Sequence, residues 1–155
     1  MKKAIFTLAI AALALTAGAQ DKGGSDKSFK PSIGLEAGLS TGSRLNIGAS
    51  LQGEFSAAEN IGVTLNAGYL YTLKKDFIPS SSLIPVLGGV KYYFSEQFFG
   101  HAQAGMTFFK GGGSAFTYSP GLGYQVSENF DITAKYLGFS KGGGSYFGLR
   151  AAYSF

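Results

Sequence analysis

Seven side chains able to carry charge or move a proton fall at alternate positions of strand-like stretches: Glu36, Glu54, Lys91, His101, Asp131, Lys135 and Arg150. They share their side of each stretch with glycine and small polar residues. Three acids nearly cancel three bases, and charges taken out of water must be paired, so the set reads first as a salt-bridged filling of an interior. Glu36 and Arg150 are expected to pair, with Glu54 nearby. Two other chemistries compete: the same groups could line a narrow proton or ion path, or His101, the only histidine, could serve as general base of a lipid hydrolase if a serine and an acid stood beside it. A lone inward histidine is more often a hydrogen-bonded filler. No Gly-x-Ser-x-Gly elbow, metal-ligand cluster or Walker pattern is expected, and the triple-glycine segments lack the Gly-Lys-[Ser/Thr] order of a phosphate loop. No catalytic, metal or cofactor site is expected.

Residues can share a side in this way only if the backbone alternates, and from Ile33 onward it does. Ile33, Leu35, Ala37 and Leu39 alternate with Gly34, Glu36 and Gly38; Leu45, Ile47, Ala49, Leu51 and Phe55 alternate with Asn46, Gly48, Ser50, Gln52 and Glu54. Six further segments repeat the pattern, the last through Phe147, Leu149, Ala151, Tyr153 and Phe155. The fourth is less regular, because Leu87 shares the face of Gly89 and Lys91. Pro120, inside the sixth, removes a ladder donor and predicts a local bulge. The count is eight, which is even, so both ends of the wall lie on one side.

Alternation alone fits a soluble sandwich as well as a membrane barrel; the identity of the polar residues decides between them. Only 14% of the chain is charged, against 45% hydrophobic and 15% aromatic, whereas ordinary soluble domains carry about 25% charge. Here the polar face is mostly Gly, Ser, Thr, Asn and Gln, which suits the crowded lumen of an eight-stranded barrel. The apolar face then meets lipid. Aromatic residues fall at two rims: Phe55, Tyr92, Phe94, Phe98, Tyr124, Phe130, Tyr153 and Phe155 at one, Tyr69, Tyr71, Phe108, Phe116, Tyr118 and Tyr136 at the other.

The chain starts with the pattern of an export signal, residues 1–19: Lys2 and Lys3, an apolar run from Ala4 to about Leu15, and Ala17-Gly18-Ala19 as cleavage site. Residues 20–31, rich in Gly, Ser, Lys and Asp, read as a disordered periplasmic lead-in, and residues 32–155 as one barrel domain. Cysteine is absent, so there is no disulfide framework and no lipid-attachment thiol. With the signal's two lysines removed, charge is nearly balanced and no nucleic-acid footprint remains.

The connections alternate too. Those after the second, fourth and sixth strands are short and acidic (Glu59, Glu96, Glu128); the others carry Arg44, Lys74, Lys75, Asp76, Lys110 and Lys141. Acidic turns are therefore expected toward the periplasm and basic loops outside. Lys110-Gly111-Gly112-Gly113-Ser114-Ala115-Phe116 recurs as Lys141-Gly142-Gly143-Gly144-Ser145-Tyr146-Phe147, as duplication of a hairpin would give.

Ile84-Pro85-Val86, Gly88-Gly89-Val90-Lys91-Tyr92-Tyr93-Phe94 with the following Ser95-Glu96-Gln97-Phe98, and Tyr153-Ser154-Phe155 together resemble the small eight-stranded outer-membrane β-barrel family of Gram-negative envelopes. That family includes OmpX-like proteins, the OmpA membrane domain and proteins labelled porin family. The resemblance implies an all-β, antiparallel up-and-down transmembrane barrel in the cell outer membrane. It also implies that Tyr153 and Phe155 are read by the barrel-assembly machinery during insertion. It does not imply cell-wall tethering through a peptidoglycan-binding domain, since none is expected after the barrel, and the loops read as shorter than those of adhesive members. The expectation is a monomeric barrel, not an enzyme, with a structural or interaction role. Outer-membrane lipids are its partners, and Arg44, Lys74, Lys75, Lys110 and Lys141 are candidate contacts to lipopolysaccharide phosphates. The alternatives are a narrow channel or, further off, a lipid A-modifying barrel.

Overall fold

The computed structural model describes residues 29–74, 80–140 and 144–155. The export signal, residues 20–28 of the lead-in, and the loop residues Lys75, Asp76 and Lys141 lie outside the described residues. Eight strands follow one another: β1 Phe29–Ser40, β2 Arg44–Ala58, β3 Ile61–Thr72, β4 Ser81–Tyr93, β5 Phe98–Phe109, β6 Ser114–Ser127, β7 Phe130–Phe139 and β8 Ser145–Ser154. Each pairs antiparallel with the next, and β8 closes on β1.

Closure is staggered. From Leu39 the register runs to Phe147 and Tyr136, crosses to Pro120 and Ala102, continues through Val90, Val63 and Phe55, and returns to β1 at Phe29, ten residues from its start. Such a stagger requires tilted strands, so residues directly paired across a ladder do not lie at the same height along the barrel axis. This separation of register from height governs which inward side chains meet.

The alternation places the faces as expected. Leu35, Leu65, Leu122 and Phe147 stand fully outside, while Glu36, Thr64, Gly123 and Gly148 turn inward. Fourteen rim aromatics were expected on the exterior; twelve are exposed, and Phe130 and Tyr136 are half-buried. A tilted strand needs only about 9–11 residues to cross a bilayer, and the shortest here, β7 and β8, have 10.

Two details depart from the sequence reading. β1 begins at Phe29, three residues inside the segment assigned to the lead-in. The Phe29 ring packs on Phe55 at 4.5 Å between centroids and covers Gly53, and Pro31 O accepts from Phe155 N at 3.0 Å. Tertiary contacts thus override the local composition. Pro120 makes no bulge. The ladder to β7 lapses between Tyr118↔Gly138 and Gly121↔Lys135, yet the register on either side is unchanged, and Pro120 still faces Ala102 of β5. Pro85 leaves the same kind of lapse between Ala67↔Val86 and Leu70↔Leu83. A missing N–H costs a ladder bond without inserting a residue. The register shifts instead lie beside two short turns, at Ser56/Ala58 and Gln125/Ser127.

At the opposite end, Gly111, Gly112 and Gly113 all have φ between 95° and 114°, a region side chains avoid, which explains the glycine run at that hairpin.

Inward glycines make room for rings. A Cβ on Gly123 would strike the Phe99 ring, whereas at outward-facing Gly88 the nearest atom is Thr64 O at 3.9 Å. Gly123→Ala should destabilise the barrel by about 1–3 kcal/mol, and Gly88→Ala should stay within about 0.5 kcal/mol of the parent. Urea unfolding of the refolded protein, followed by its heat-modifiable gel mobility, measures both.

Candidate functional site

The lumen is the only place where the described residues gather charge away from solvent. Beginning at the end that carries the three short turns and the C-terminus, the first level holds Glu54, Lys91 and Asp131, all buried. Lys91 Nζ lies 2.9 Å from Glu54 Oε2, and Tyr93 OH donates to Glu54 Oε1 at 2.7 Å. The ammonium also sits 4.3 Å from the centroid of the Phe99 ring, a cation–π geometry. Two further contacts hold Asp131: Thr133 Oγ1 donates to its Oδ1 at 3.1 Å, and Arg150 Nη1 stands 3.9 Å away.

Above them lie His101 and the Arg150 guanidinium. His101 Nε2 shares a hydrogen bond of 2.9 Å with Thr64 Oγ1, and Gln103 Nε2 reaches the same oxygen at 3.4 Å. Arg150 crosses β1, donating from Nε to Ser50 Oγ at 3.0 Å and from Nη2 to Ser32 Oγ at 3.1 Å. At the next level Lys135 Nζ approaches Glu36 Oε2 to 2.7 Å, an ion pair in which neither Glu36 oxygen accepts a well-aligned hydrogen bond.

All seven inward residues therefore occupy the lumen, and the three acids and three bases match one to one. The expected partnership of Glu36 with Arg150 does not form. The two are register partners, but strand tilt brings Lys135, two strands away, to the height of Glu36. Arg150 instead passes over Gly34, where a Cβ would lie 2.6 Å from its Nε.

The lumen is not polar throughout. Toward the loop end Leu70, Leu83, Leu87, Leu137 and Tyr146 form a buried apolar cluster, and Phe109 and Phe139, whose rings meet edge to face at 5.6 Å, pack against it. Sequence alternation contained this signal: Leu70, Leu83, Leu137 and Tyr146 are each out of phase with the outward residues beside them.

The string Gly38-Leu39-Ser40-Thr41-Gly42 has the Gly-x-Ser-x-Gly spacing of a nucleophile elbow, a match that the alternation-based reading missed. An elbow needs a strand-to-helix turn. This string instead enters the β1–β2 hairpin, where Ser40 Oγ donates to Arg44 O at 3.4 Å. His101 stands at the other end of the lumen.

Of the loop cations, Lys74 and Lys110 are exposed, and Arg44 is half-buried with Nη2 donating to Leu73 O at 3.5 Å. Lys75 and Lys141 lie outside the described residues. Tyr153 and Phe155 project outward at the turn end, their rings edge to face at 5.3 Å.

No family model matches the chain, and no curated protein matches it. Solved structures do. The crystal structure of Ail, the attachment invasion locus protein of Yersinia pestis, aligns with a TM-score of 0.62 at 17% identity, over 84% of this chain and 100% of that one. The N-terminal β-barrel domain of Pseudomonas aeruginosa OprF aligns at 0.61 with 16% identity, over 84% and 100%. The outer membrane enzyme PagL aligns at 0.62 with 12% identity, over 79% and 98%. At these identities the likeness is one of fold. The protein is an eight-stranded antiparallel barrel of the transmembrane kind. Its architecture is that of the small outer-membrane β-barrels, a scaffold shared by an attachment protein and an enzyme.

Lys91→Met, which strands Glu54 in the lumen, should cost about 3–5 kcal/mol. Adding Glu54→Gln, which keeps the acceptor for Tyr93, should recover most of that loss. Chemical unfolding of the two variants beside the parent provides the comparison.

Proposed function

We propose that the protein is a monomeric integral barrel of the outer membrane whose work is structural and interactive: it occupies and stabilises the bilayer and holds lipid through its loops. The observation that carries this reading is the pairing of the described inward charges within a lumen that also holds a buried leucine cluster, beneath an exterior of exposed apolar side chains. A filled interior leaves the outer surface and the loops as the parts that meet other molecules.

Export through a cleaved signal at residues 1–19 and recognition of Tyr153 and Phe155 by the barrel-assembly machinery belong to the same proposal. The exposure of both rings at the turn end supports the second. The reading assigns no enzymatic step, and the bond between His101 and Thr64 supports a packing role for the imidazole. It also includes no nucleic-acid partner and no open pore.

At the loop end Arg44, Lys74, Lys75, Lys110 and Lys141 are proposed to contact the phosphates of lipopolysaccharide, whose negative charge lies at that depth of the outer leaflet. Exposed Lys74 and Lys110 support this placement. Replacing the five cations by glutamine should lower the lipopolysaccharide retained by the detergent-purified barrel at least ~3-fold and leave folding intact, since exposed charges contribute little stability. Retention equal to the parent's would refute the loop assignment.

A further inference from the structure

Five polar atoms in mid-lumen have neither a hydrogen-bond partner nor an ion-pair contact: Oε1 of Glu36, Oδ1 and Nδ2 of Asn66, Oγ of Ser119 and OH of Tyr146. Their residues are 4%, 1%, 2% and 1% exposed. They come from four strands, β1, β3, β6 and β8, and all turn into the lumen. Tyr146 leans down its own strand, so that a Cβ on Gly148 would meet its hydroxyl and one on Gly38 its ring. Gly38 is the next inward residue after Glu36. Asn66 sits between Thr64, bound to His101, and Gly68, which packs near Pro85 and Ser50. Ser119 sits between Gly121, the register partner of His101, and Thr117, whose hydroxyl donates to Thr107 at 2.7 Å.

Above this level come Leu70, Leu83 and Leu137 of the apolar cluster, and below it the Glu54–Lys91 and Asp131–Arg150 ion pairs. Buried polar groups are satisfied by protein or by ordered water in nearly every folded structure. A metal cation is the poorer occupant, since Glu36 already neutralises Lys135 and the six lumen charges cancel.

We propose that Glu36, Asn66, Ser119 and Tyr146 bind a cluster of ordered waters in a mid-lumen chamber, and that the leucine level above it, not the ion pairs beneath, closes the barrel to ions. The proposal rests on the membrane-barrel reading and is independent of the lipid contacts assigned to the loops. Water adapts to five donors and acceptors that protein groups do not reach, while the leucines present a layer that water and ions do not wet.

Two measurements on the whole refolded protein test it. In isotope-labelled protein, the Asn66 side-chain amide should show magnetisation transfer from long-lived water; a folded barrel without that transfer overturns the chamber. In planar bilayers, Leu70→Ser with Leu137→Ser should raise conductance at least ~10-fold above the parent by wetting the seal. Lys91→Met with Glu54→Gln should stay at the parent's level. The reverse pattern, or a folded serine variant that stays silent, overturns the seal. Heat-modifiable mobility certifies folding, and should the double serine variant fail it, Leu137→Thr alone takes its place with the same two outcomes. Lipopolysaccharide retention read on these variants should match the parent's, which separates failure of the chamber from failure of the loop assignment.

Discussion

Every backbone N–H and C=O in a bilayer-spanning segment must find its partner within the protein, because hydrocarbon offers none. An open sheet cannot meet that demand along its edges. Here the return of β8 onto β1, through pairs from Ser32↔Ser154 to Ser40↔Tyr146, removes both edges. Closure with a ten-residue stagger is a geometric solution with little latitude: it sets the tilt, the tilt sets the height of each inward residue, and height decides which side chains meet. Lys135 pairs with Glu36, and Lys91 with Glu54, for that reason. Two of the three prolines in the wall, Pro85 and Pro120, show how strictly the register is kept, since each gives up local pairing without displacing the strand around it.

A lumen only a few side chains wide then imposes its own chemistry. Long charged side chains fit because glycines face them: Arg150 runs over Gly34, and the Glu54 carboxylate sits against Gly62. A charge in such a space has no solvent shell, so composition must come close to neutrality, and local matching must follow. Lys91 illustrates how much surrounds one ammonium, with a carboxylate at 2.9 Å and an aromatic face at 4.3 Å. An ion pair of this kind gains less as attraction than it would lose if broken. It therefore acts chiefly to hold its strands in one arrangement.

Much of this was legible in the sequence. Period-two alternation gave all eight strands, and glycine and hydroxyl residues opposite the apolar ones identified the interior, so Glu36, Glu54, Lys91, His101, Asp131, Lys135 and Arg150 were located from parity alone. What escaped depends on three dimensions. Composition placed Phe29 in a lead-in, although its ring packs against Phe55 from the neighbouring strand. The pairing of Glu36 followed from the stagger, which no single strand encodes. The apolar cluster is a different case: Leu70, Leu83, Leu137 and Tyr146 carried a parity signal, but a reading in which large apolar residues belong outside discounts it.

The two halves of the lumen divide the work of the interior. Ion pairs are directional and tolerate only one register, which suits the end where three tight turns and the closing strand must be aligned together. Leucines and phenylalanines have no such preference, but they pack without leaving groups that need water. They suit the end where longer loops begin and where alignment matters less than closure. An interior arranged in this way frees the loops from holding the barrel together. The same fold carries an attachment protein in one case and an enzyme in another, because what the loops and rim present can change without altering the hydrogen-bonded wall.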